Sequence, residues 1–254
     1  MYPILFQLGR FTVYAYGFFL AIGFIFGLAL AILRAKKAGI PFERVIDLFF
    51  LTVLSAIIGA RLLFVLTNLH LYLKNPLAVF KLWEGGLVFY GGLVLAAAVA
   101  IVYLRVQRLP VWQLADASSP AISLGLFFGR IGCFFAGCCY GRETSLPFAV
   151  IFTNGRSLAP LHVSLHPTQL YDAVNGLAIF VFLLVWEKRR AFDGQIFWLF
   201  LLLYSCGRFL VEMFRGDPRG SILNGLLSTS QGLGLFLAMG SLFVLFYSYQ
   251  YRRR

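Results

Sequence analysis

Long apolar stretches, separated by short polar or basic segments, run through almost the whole chain. A helix needs about 20 mainly apolar residues to cross the hydrocarbon core of a bilayer. Seven stretches are candidates, at residues 12–33, 46–69, 87–104, 116–139, 168–186, 195–214 and 231–249. The fourth is the least regular, because Asp116 and Pro120 stand near its start and Arg130 interrupts it. The pattern predicts an all-α, polytopic integral membrane protein with about seven transmembrane helices.

The connections leave little room for a second folding unit. The longest, residues 140–167, is too short to build a hydrophobic core of its own, so residues 1–254 are expected to form a single transmembrane domain. The first stretch has neither a basic segment before it nor a small-residue cleavage site, and a basic loop follows it. It is therefore expected to stay as a span rather than act as a cleaved signal peptide.

Composition and charge support the membrane interpretation and add an orientation. Hydrophobic residues make up 60% of the chain and charged residues 13%, against roughly 45–50% and about 25% in soluble domains. Alternate connections place twelve basic residues on one side and seven on the other, and basic residues favour the cytoplasm. The N-terminus is thus predicted outside and the C-terminus in the cytoplasm. The net charge of +12 then reflects topology and contact with anionic membrane lipids, and no nucleic-acid partner is expected.

Three arginines, Arg61, Arg130 and Arg208, lie inside predicted spans. A charge at membrane depth is costly and usually functional, so these arginines suggest a site for an anion that is itself in the membrane, such as a phospholipid headgroup. A structural alternative stays open for each. Arg130 can pair with Glu212 or Asp172, and Arg208 can pair with Glu212. Arg61 can line a hydrated cavity or pair with a residue that the sequence does not identify.

The segment YSCGRFLVEMFR, residues 204–215, concentrates polar groups. Helical spacing puts four of its side chains on one face, namely those of Tyr204, Arg208, Glu212 and Arg215. If Arg208 and Glu212 neutralise each other, Arg215 remains for a phosphate contact near the outer surface, with Asp217 as the local acid.

The segment HPTQLYD, residues 166–172, brings four polar groups to the start of the fifth span: His166, Gln169, Tyr171 and Asp172. A histidine can accept a proton near neutral pH, so His166 is a catalytic candidate. The alternative is an ordinary helix start, with Pro167 restraining the chain and Thr168 capping the helix. Solvated roles are expected for the other two histidines, His70 and His162.

Glycines are spaced for close approach in two places. Three pairs follow the small-xxx-small pattern that lets helices pack closely: Gly125 with Gly129, Gly132 with Ala136, and Gly137 with Gly141. In LWEGGLVFYGG, residues 82–92, two glycine pairs permit a turn or a close backbone approach. Tyr90 within it is either an interfacial aromatic residue or a site residue.

The four cysteines are Cys133, Cys138, Cys139 and Cys206. The simplest interpretation is that they are small buried hydrophobic residues. A disulfide is permitted for Cys138 or Cys139, which are predicted toward the oxidising side, but the sequence names no partner. A metal site stays open in principle, although the spacing of CxxxxCC is not that of a zinc site. Neither a metal ion nor a cofactor is expected.

Together these motifs resemble one family, the bacterial prolipoprotein diacylglyceryl transferases. Elements such as GRxG and HPxQLY are moderately specific singly, and their occurrence in order on a seven-span chain is strong support. Six segments match over nearly the whole chain: YAYGFFLA at 14–21, GARLLFVL at 59–66, WEGGLVFYGG at 83–92, GRIGCFFAGCCYG at 129–141, HPTQLYD at 166–172 and YSCGRFLVEMFR at 204–215.

The resemblance implies a transferase of the bacterial inner membrane. It would move the diacylglyceryl group of phosphatidylglycerol onto the lipobox cysteine thiol of a preprolipoprotein, forming a thioether and releasing glycerol phosphate. Arg130 and Arg208 are implied to hold the headgroup and to stabilise the departing phosphate, as fixed cations in a water-poor cavity would. The predicted substrate-binding set is completed by Tyr16, Tyr204, Arg61, Gly91, Gly92, Gly141, Gln169, Glu212 and Arg215.

Two departures from the family pattern affect the chemistry. Cys133, Ala136 and Cys138 occupy three positions that are usually polar, and Tyr90 stands where the family has a histidine that is a proposed base for the thiol. The base can therefore be Tyr90, His166 or none. A tyrosine phenol is a poor proton acceptor at neutral pH, whereas a thiol is already a few per cent thiolate. His166, or a minimal requirement for a base, is favoured.

Other functions remain open at this point. A divergent family member can keep the lipid site and change the acceptor. A channel or transporter for a small anion or metabolite can use the same arginines as a polar pathway, although the chain shows no inverted repeat of the kind that many transporters carry. A catalytically inactive scaffold is a further alternative.

Overall fold

The structure, a computed structural model, describes residues 2–9, 11–73, 75–82, 85–217, 220–222 and 227–253. Four basic residues that support the predicted orientation fall outside these ranges: Arg10, Lys74, Arg219 and Arg254. The first two residues of the third family motif, Trp83 and Glu84, also fall outside them.

Within those ranges the chain forms eight α-helices and three short antiparallel strand pairs. The helices are α1 Ala15–Lys37, α2 Phe42–Thr67, α3 Leu69–Tyr72, α4 Phe89–Val106, α5 Val111–Ala136, α6 Thr168–Trp186, α7 Gln195–Glu212 and α8 Thr229–Arg253. The strand pairs are β1 Ile4–Leu8 with β2 Phe11–Tyr14, β3 Val150–Ile151 with β4 Ser164–Leu165, and β5 Ser221–Ile222 with β6 Leu227–Ser228.

Seven of the described helices, all except the four-residue α3, are long and apolar enough to cross a membrane. Many of their large apolar side chains are exposed, including those of Ile25, Phe50 and Leu242. Such side chains are costly to expose to water but fit the hydrocarbon of a bilayer. The predicted multi-pass helical membrane protein is thereby confirmed, whereas the predicted orientation of its termini is not tested.

The clearest differences from the predicted span boundaries are in the first and fourth spans. Residues 12–14 belong to strand β2 rather than to the first span. Helix α5, which corresponds to the fourth predicted span, begins at Val111, before Asp116, and ends at Ala136 rather than at residue 139. The end is fixed by Gly137, whose φ of 78° lies in the left-handed region that glycine adopts most readily. Gly137 and Gly141 therefore do not form the helical ridge that their spacing predicted.

The chain divides into two compact units, one of which is Ile32–Leu114. In this unit, α2 and α4 cross with almost no space between their backbones. A Cβ atom on Gly59 or Gly91 would collide with the carbonyl oxygen of the other glycine, and one on Gly92 would lie 2.6 Å from the Ala56 carbonyl oxygen. The predicted close backbone approach at the second glycine pair is confirmed, and Gly85 and Gly86 make a turn with φ values of 82° and 78°.

The other unit consists of Met1–Ala31 and Ala115–Arg254. Helices α6 and α7 share an apolar core formed by Ile179, Leu183, Ile196 and Phe200. Helix α5 is tied to α6 where the Ser123 hydroxyl donates to the Gly176 carbonyl at 2.7 Å.

Buried Asp116, near the start of α5, links this helix to the start of α7. Its carboxylate accepts hydrogen bonds from the Gly194 and Phe197 backbone N–H groups at the start of α7, at 2.8 and 2.9 Å. A carboxylate is favourable at a helix N-terminus, where backbone donors lack partners. The polar residue that made the fourth span look irregular is thus a connection between helices.

The single-domain expectation stays a prediction. Arg130, Asp172, Arg208 and Arg215 lie in the unit formed by Met1–Ala31 and Ala115–Arg254, whereas Arg61 and Tyr90 lie in the unit Ile32–Leu114.

Candidate functional site

One buried carboxylate, that of Asp172 on α6, is surrounded by arginines from two other elements. Its Oδ2 atom lies 3.2 Å from Arg130 Nη1 on α5 and 3.5 Å from Arg208 Nη1 on α7. A third arginine, Arg215, follows the end of α7 and places its Nη1 atom 3.9 Å from the same oxygen. We call Arg130, Asp172, Arg208, Glu212 and Arg215 the arginine cluster.

The remaining acids of the region hold the arginines in place. Arg208 forms an ion pair with Glu212, one helical turn away. Arg215 binds Asp217 through two hydrogen bonds of 2.8 and 2.9 Å and keeps its Nε atom 3.8 Å from Glu212 Oε2. Both structural pairings that the sequence left open, Arg130 with Asp172 and Arg208 with Glu212, are therefore present. They coexist in one cluster rather than accounting for each arginine separately.

The arginine cluster is incompletely hydrogen-bonded at its centre. Asp172, Arg208 and Arg215 are only 6–7% exposed. Yet Asp172 Oδ2, Arg208 Nη1 and Arg215 Nη1 have no hydrogen-bond partner, because the contacts between them have the distance of ion pairs without hydrogen-bond geometry. Buried polar groups are normally satisfied. Unused guanidinium donors that converge on one point are the arrangement that binds a phosphate or another oxyanion.

A tightly fitted loop, residues 137–142, closes the arginine cluster on one side. Gly141 donates its N–H to the His166 carbonyl at 3.1 Å, and Gly216 donates to the Tyr140 carbonyl at 3.1 Å. A Cβ atom on Gly141 would lie 2.5 Å from the Cβ and carbonyl oxygen of His166 and 2.9 Å from the Phe214 carbonyl oxygen. Glycine at position 141 is therefore required by close backbone approach, which places the loop between His166 and the chain that carries Arg215.

The start of α6 holds this loop through two fully buried side chains. The Thr168 hydroxyl donates to the Cys139 carbonyl at 2.8 Å, and Gln169 Nε2 donates to the Cys138 carbonyl at 2.8 Å. The prediction that Thr168 caps α6 was wrong: Pro167 stands at the N-cap and the Thr168 hydroxyl is used for the loop instead. Gln169, predicted as a substrate contact, supports the loop through its amide nitrogen, and its Oε1 atom is buried without a partner.

His166 lies at the edge of the arginine cluster. Its Nδ1 atom is 3.1 Å from the Tyr171 hydroxyl, and its ring centroid is 5.2 Å from that of Phe214, the residue before Arg215. The ring is half-buried rather than sealed in the core. It therefore combines a fixed orientation with access to its surroundings, as a proton acceptor requires.

The two tyrosines predicted for the site lie on helices that flank Arg130. A Cβ atom on Gly132 of α5 would be 3.2 Å from the Tyr16 Cα atom, so α1 and α5 approach closely beside the arginine. Tyr16 also lines a cavity of about 500 Å³ together with Tyr14, Ala136, Arg156 and Leu158. Tyr204 stacks on Phe200 and lies within electrostatic range of the Arg130 guanidinium.

Three thiols come together beside the arginine cluster. The sulfur atoms of Cys133, Cys138 and Cys139 all lie within 4.8 Å of one another. The pKa of Cys139 is below its ordinary value because the Cys133 and Cys138 thiols hydrogen-bond its sulfur, and Arg215 adds to this effect. The same contacts raise the pKa of Cys138. The sequence did not predict this grouping. Of the five residues between Cys133 and Cys139, only Gly137 is of a type that indicates a turn.

The Arg215 side chain stays charged in this environment. Burial alone would lower its pKa, but the hydrogen bond to Asp217 and the negative charge at Cys139 outweigh burial and raise the pKa above its ordinary value. Asp217, noted in the sequence only as a local acid, is therefore a structural partner of the cluster. In the sequence, Asp172 was noted as a polar residue of the HPTQLYD segment and as one possible partner of Arg130, and its central position arises from tertiary structure.

The predicted site residues Arg61, Tyr90, Gly91 and Gly92 lie in the unit Ile32–Leu114. Arg61 is 6% exposed and makes five hydrogen bonds, of 2.6–3.2 Å, with backbone carbonyl groups. Its guanidinium also lies over the Phe64 and Tyr72 rings. These contacts explain the buried charge structurally, while Gly91 and Gly92 serve helix packing. Their roles in substrate binding, and that of Tyr90 in catalysis, stay predictions.

Comparisons with known proteins agree with the sequence motifs. The family model for prolipoprotein diacylglyceryl transferase matches residues 3–247. The phosphatidylglycerol–prolipoprotein diacylglyceryl transferase of Clostridium tetani is 35% identical over 244 residues, which cover 96% of both chains. The enzyme of the same name from Vibrio cholerae is 36% identical and covers 98% of this chain and 92% of its own. The chain belongs to the prolipoprotein diacylglyceryl transferase family.

Proposed function

We propose that this chain transfers the diacylglyceryl group of phosphatidylglycerol to the lipobox cysteine of preprolipoproteins. The observation that carries the proposal is the arginine cluster, where Arg130, Arg208 and Arg215 converge on one buried point. Two of them keep guanidinium donors without hydrogen-bond partners there. A phosphate group supplies several acceptor oxygens and a negative charge, which is what these donors lack.

The chemistry needs a stabilised leaving group. The acceptor sulfur attacks the glyceryl carbon that carries the phosphate ester, so a C–S bond forms while the C–O bond breaks. The electron pair of that bond leaves with glycerol phosphate, and the thiol proton passes to a base or to solvent. Negative charge grows on the departing oxygen, and preorganised guanidinium groups in a site poor in water favour this step without having to reorient.

The cluster's acids limit how the arginines can move. Glu212 and Asp217 hold Arg208 and Arg215 from the side, while Asp172 occupies the centre. A phosphate that enters would share the Nη donors with Asp172 rather than replace Glu212 or Asp217. We propose Gly141 and Gln169 as supports of this arrangement and Tyr16 and Tyr204 as contacts for the glyceryl and headgroup region.

Two candidates remain for the proton acceptor. His166 is supported by its partial exposure, its contact with Tyr171 and its position beside Phe214 and the arginine cluster. Tyr90 stands where relatives are expected to carry a histidine. Because a free thiol is already partly ionised at neutral pH, the contribution expected from either residue is modest.

We further propose a location in the bacterial inner membrane, with the N-terminus outside and the C-terminus in the cytoplasm. The excess of basic residues in alternate connections supports this orientation. The lipid and the lipoprotein precursor are then the partners, together with surrounding membrane lipids, and no nucleic acid takes part.

Incubation of the purified chain with phosphatidylglycerol and a lipobox peptide tests the proposal. The peptide mass should increase by one diacylglyceryl group, and glycerol phosphate should be released in equal amount. A peptide with serine in place of cysteine is the matched control and should not be modified. Absence of transfer by folded protein, or flux of a small anion through liposomes without peptide modification, would contradict the proposal.

Complementation provides the cellular counterpart of this assay. A strain that lacks its own transferase should grow with the unaltered chain and fail with Arg208→Ala at equal abundance in the membrane. Failure of the unaltered chain alongside activity on another acceptor would indicate a divergent acceptor.

A further inference from the structure

Cys133, Cys138 and Cys139 form a cluster that the transfer reaction does not use. Cys133 is buried near the end of α5, and the other two lie in the loop that follows. The sulfur atoms of all three lie within 4.8 Å of one another. The fold creates this proximity because α5 stops at Ala136 and the chain turns back through Gly137 and Cys139, both with positive φ.

The spacing of the sulfurs fits a shared ion. Three thiolates at about 2.3 Å from a central ion, a typical metal–thiolate distance, stand about 4 Å apart in a trigonal plane. Separations of at most 4.8 Å therefore need side-chain adjustments of less than about 1 Å. The loop carbonyls are already fixed by Thr168 and Gln169, so the backbone of the two loop cysteines is preorganised.

The number and type of ligands select the ion. Structural zinc is almost always bound by four protein ligands, whereas this cluster offers three within the described residues. Thiolate-only sites favour soft ions, among them Cu(I), and Cu(I) is stable with three ligands.

The surrounding charge also fits. Cu(I) with three thiolates carries a net charge of −2. Arg215 and Arg130 both interact electrostatically with Cys139, and Arg130 also does so with Cys133. These guanidinium groups would repel a free cation but compensate the charge of the complete anionic complex.

We propose that Cys133, Cys138 and Cys139 form a three-coordinate binding site for Cu(I). The three thiols have no part in the proposed transfer step, and occupancy of the site can be measured without any assay of transferase activity. Cys206, which is exposed on α7, takes no part.

Competition for Cu(I) tests the site in the full-length chain. The protein is kept reduced and free of oxygen in detergent, and Cu(I) is supplied as its coloured bathocuproine disulfonate complex. We expect the chain to withdraw one Cu(I) from this complex. Each of the variants Cys133→Ser, Cys138→Ser and Cys139→Ser should weaken Cu(I) binding by more than the roughly 10–100-fold that is typical when a residue supporting a metal ligand is changed. Cys206→Ser is the matched control and should bind as the unaltered chain does.

Alkylation of the unaltered chain gives a result that does not depend on the folding of variants. Mass spectrometry after iodoacetamide treatment should show Cu(I) protecting three of the four cysteines. No withdrawal of Cu(I), protection confined to Cys206, or retained affinity in any of the three serine variants would overturn the proposal. Tight Zn²⁺ binding without Cu(I) binding would also overturn it.

Discussion

Arg61 and the arginine cluster both bury guanidinium charge, but they differ in how their hydrogen-bond donors are used. Arg61 directs its guanidinium nitrogens to backbone carbonyl groups and makes five hydrogen bonds with them. In the arginine cluster, Arg208 and Arg215 are equally buried but keep Nη1 atoms without hydrogen-bond partners. A charge at membrane depth is therefore not sufficient to indicate a binding site. The informative property is whether its hydrogen-bonding capacity has already been used.

This difference distinguishes a buried arginine that stabilises the fold from buried arginines that lower stability but can bind a ligand. A saturated arginine stabilises the loop around it, because its guanidinium holds several backbone carbonyl groups of that loop at once. An incompletely saturated cluster is held in place by its fold at some cost in stability. Such a site can gain from a ligand what it lacks in the free protein, and the following predictions test this contrast.

The largest effect is expected from Arg208→Ala and Arg130→Ala. Each removes a preorganised cation from the proposed phosphate site, so kcat should fall by about 10²–10³-fold. Initial rates of peptide modification by purified variants would measure the change. Arg189→Ala, an exposed arginine of the same unit, is the control for loss of charge and should keep its rate. Full activity in Arg130→Ala or Arg208→Ala would remove that residue from the mechanism.

Arg61→Ala should have the opposite profile. Loss of the guanidinium removes its five hydrogen bonds to backbone carbonyl groups, so the free energy of unfolding should fall by about 2–3 kcal/mol, while kcat of the folded fraction stays within about threefold. Thermal unfolding followed by tryptophan fluorescence, combined with rates per folded protein, separates the two effects. Arg105→Ala, at the exposed end of α4, is the matched control. A large rise in KM for phosphatidylglycerol would instead place Arg61 at the substrate, as its sequence motif predicted.

The contrast also explains how far the sequence could lead. Apolar length was enough to predict the seven spans. The motifs singled out Arg130, Arg208 and the segment from His166 to Asp172, and the structure brings Arg130, Arg208 and Asp172 together, while their roles in the reaction stay predictions. The saturation of Arg61 was not predictable, because its acceptors are main-chain carbonyl groups whose positions depend on the turn at Gly85 and Gly86. Backbone acceptors leave no residue-type signal.

The arrangement around Asp172 was beyond the sequence for a related reason. Helical spacing relates residues within one helix, and it correctly associated Arg208 with Glu212. Asp172, Arg130 and Arg215 come from different elements, so their meeting depends on tertiary structure. The three cysteines were not associated for a similar reason, because the fourth span was predicted to continue as a helix to residue 139. In the structure, α5 ends at Ala136, and the three sulfur atoms lie close together.

A smaller effect is expected from Asp172→Asn. The substitution removes the negative charge at the centre of the arginine cluster, so the free protein becomes less stable while the cluster attracts an anion more strongly. A gain of about 1 kcal/mol corresponds to roughly fivefold tighter binding of phosphatidylglycerol. It should be visible as a larger rise in Tm on adding the lipid, since a ligand stabilises the state that it binds. Weaker lipid binding would show that Asp172 itself contacts the substrate.

The smallest effect is expected from His166→Ala, which tests whether proton transfer belongs to the neighbourhood of the arginine cluster. The acceptor thiol is partly ionised at neutral pH, so the rate should fall by less than about tenfold at pH 7, below the usual contribution of a general base. The deficit should shrink as the pH rises toward the ordinary thiol pKa of about 8.5, because more of the acceptor is then already thiolate. His70→Ala, exposed on α3 in the unit that contains Arg61, is the control and should show no deficit at any pH. If both histidine variants keep full activity while Tyr90→His increases the rate at pH 7, His166 is not the base, and position 90 takes part in proton transfer instead.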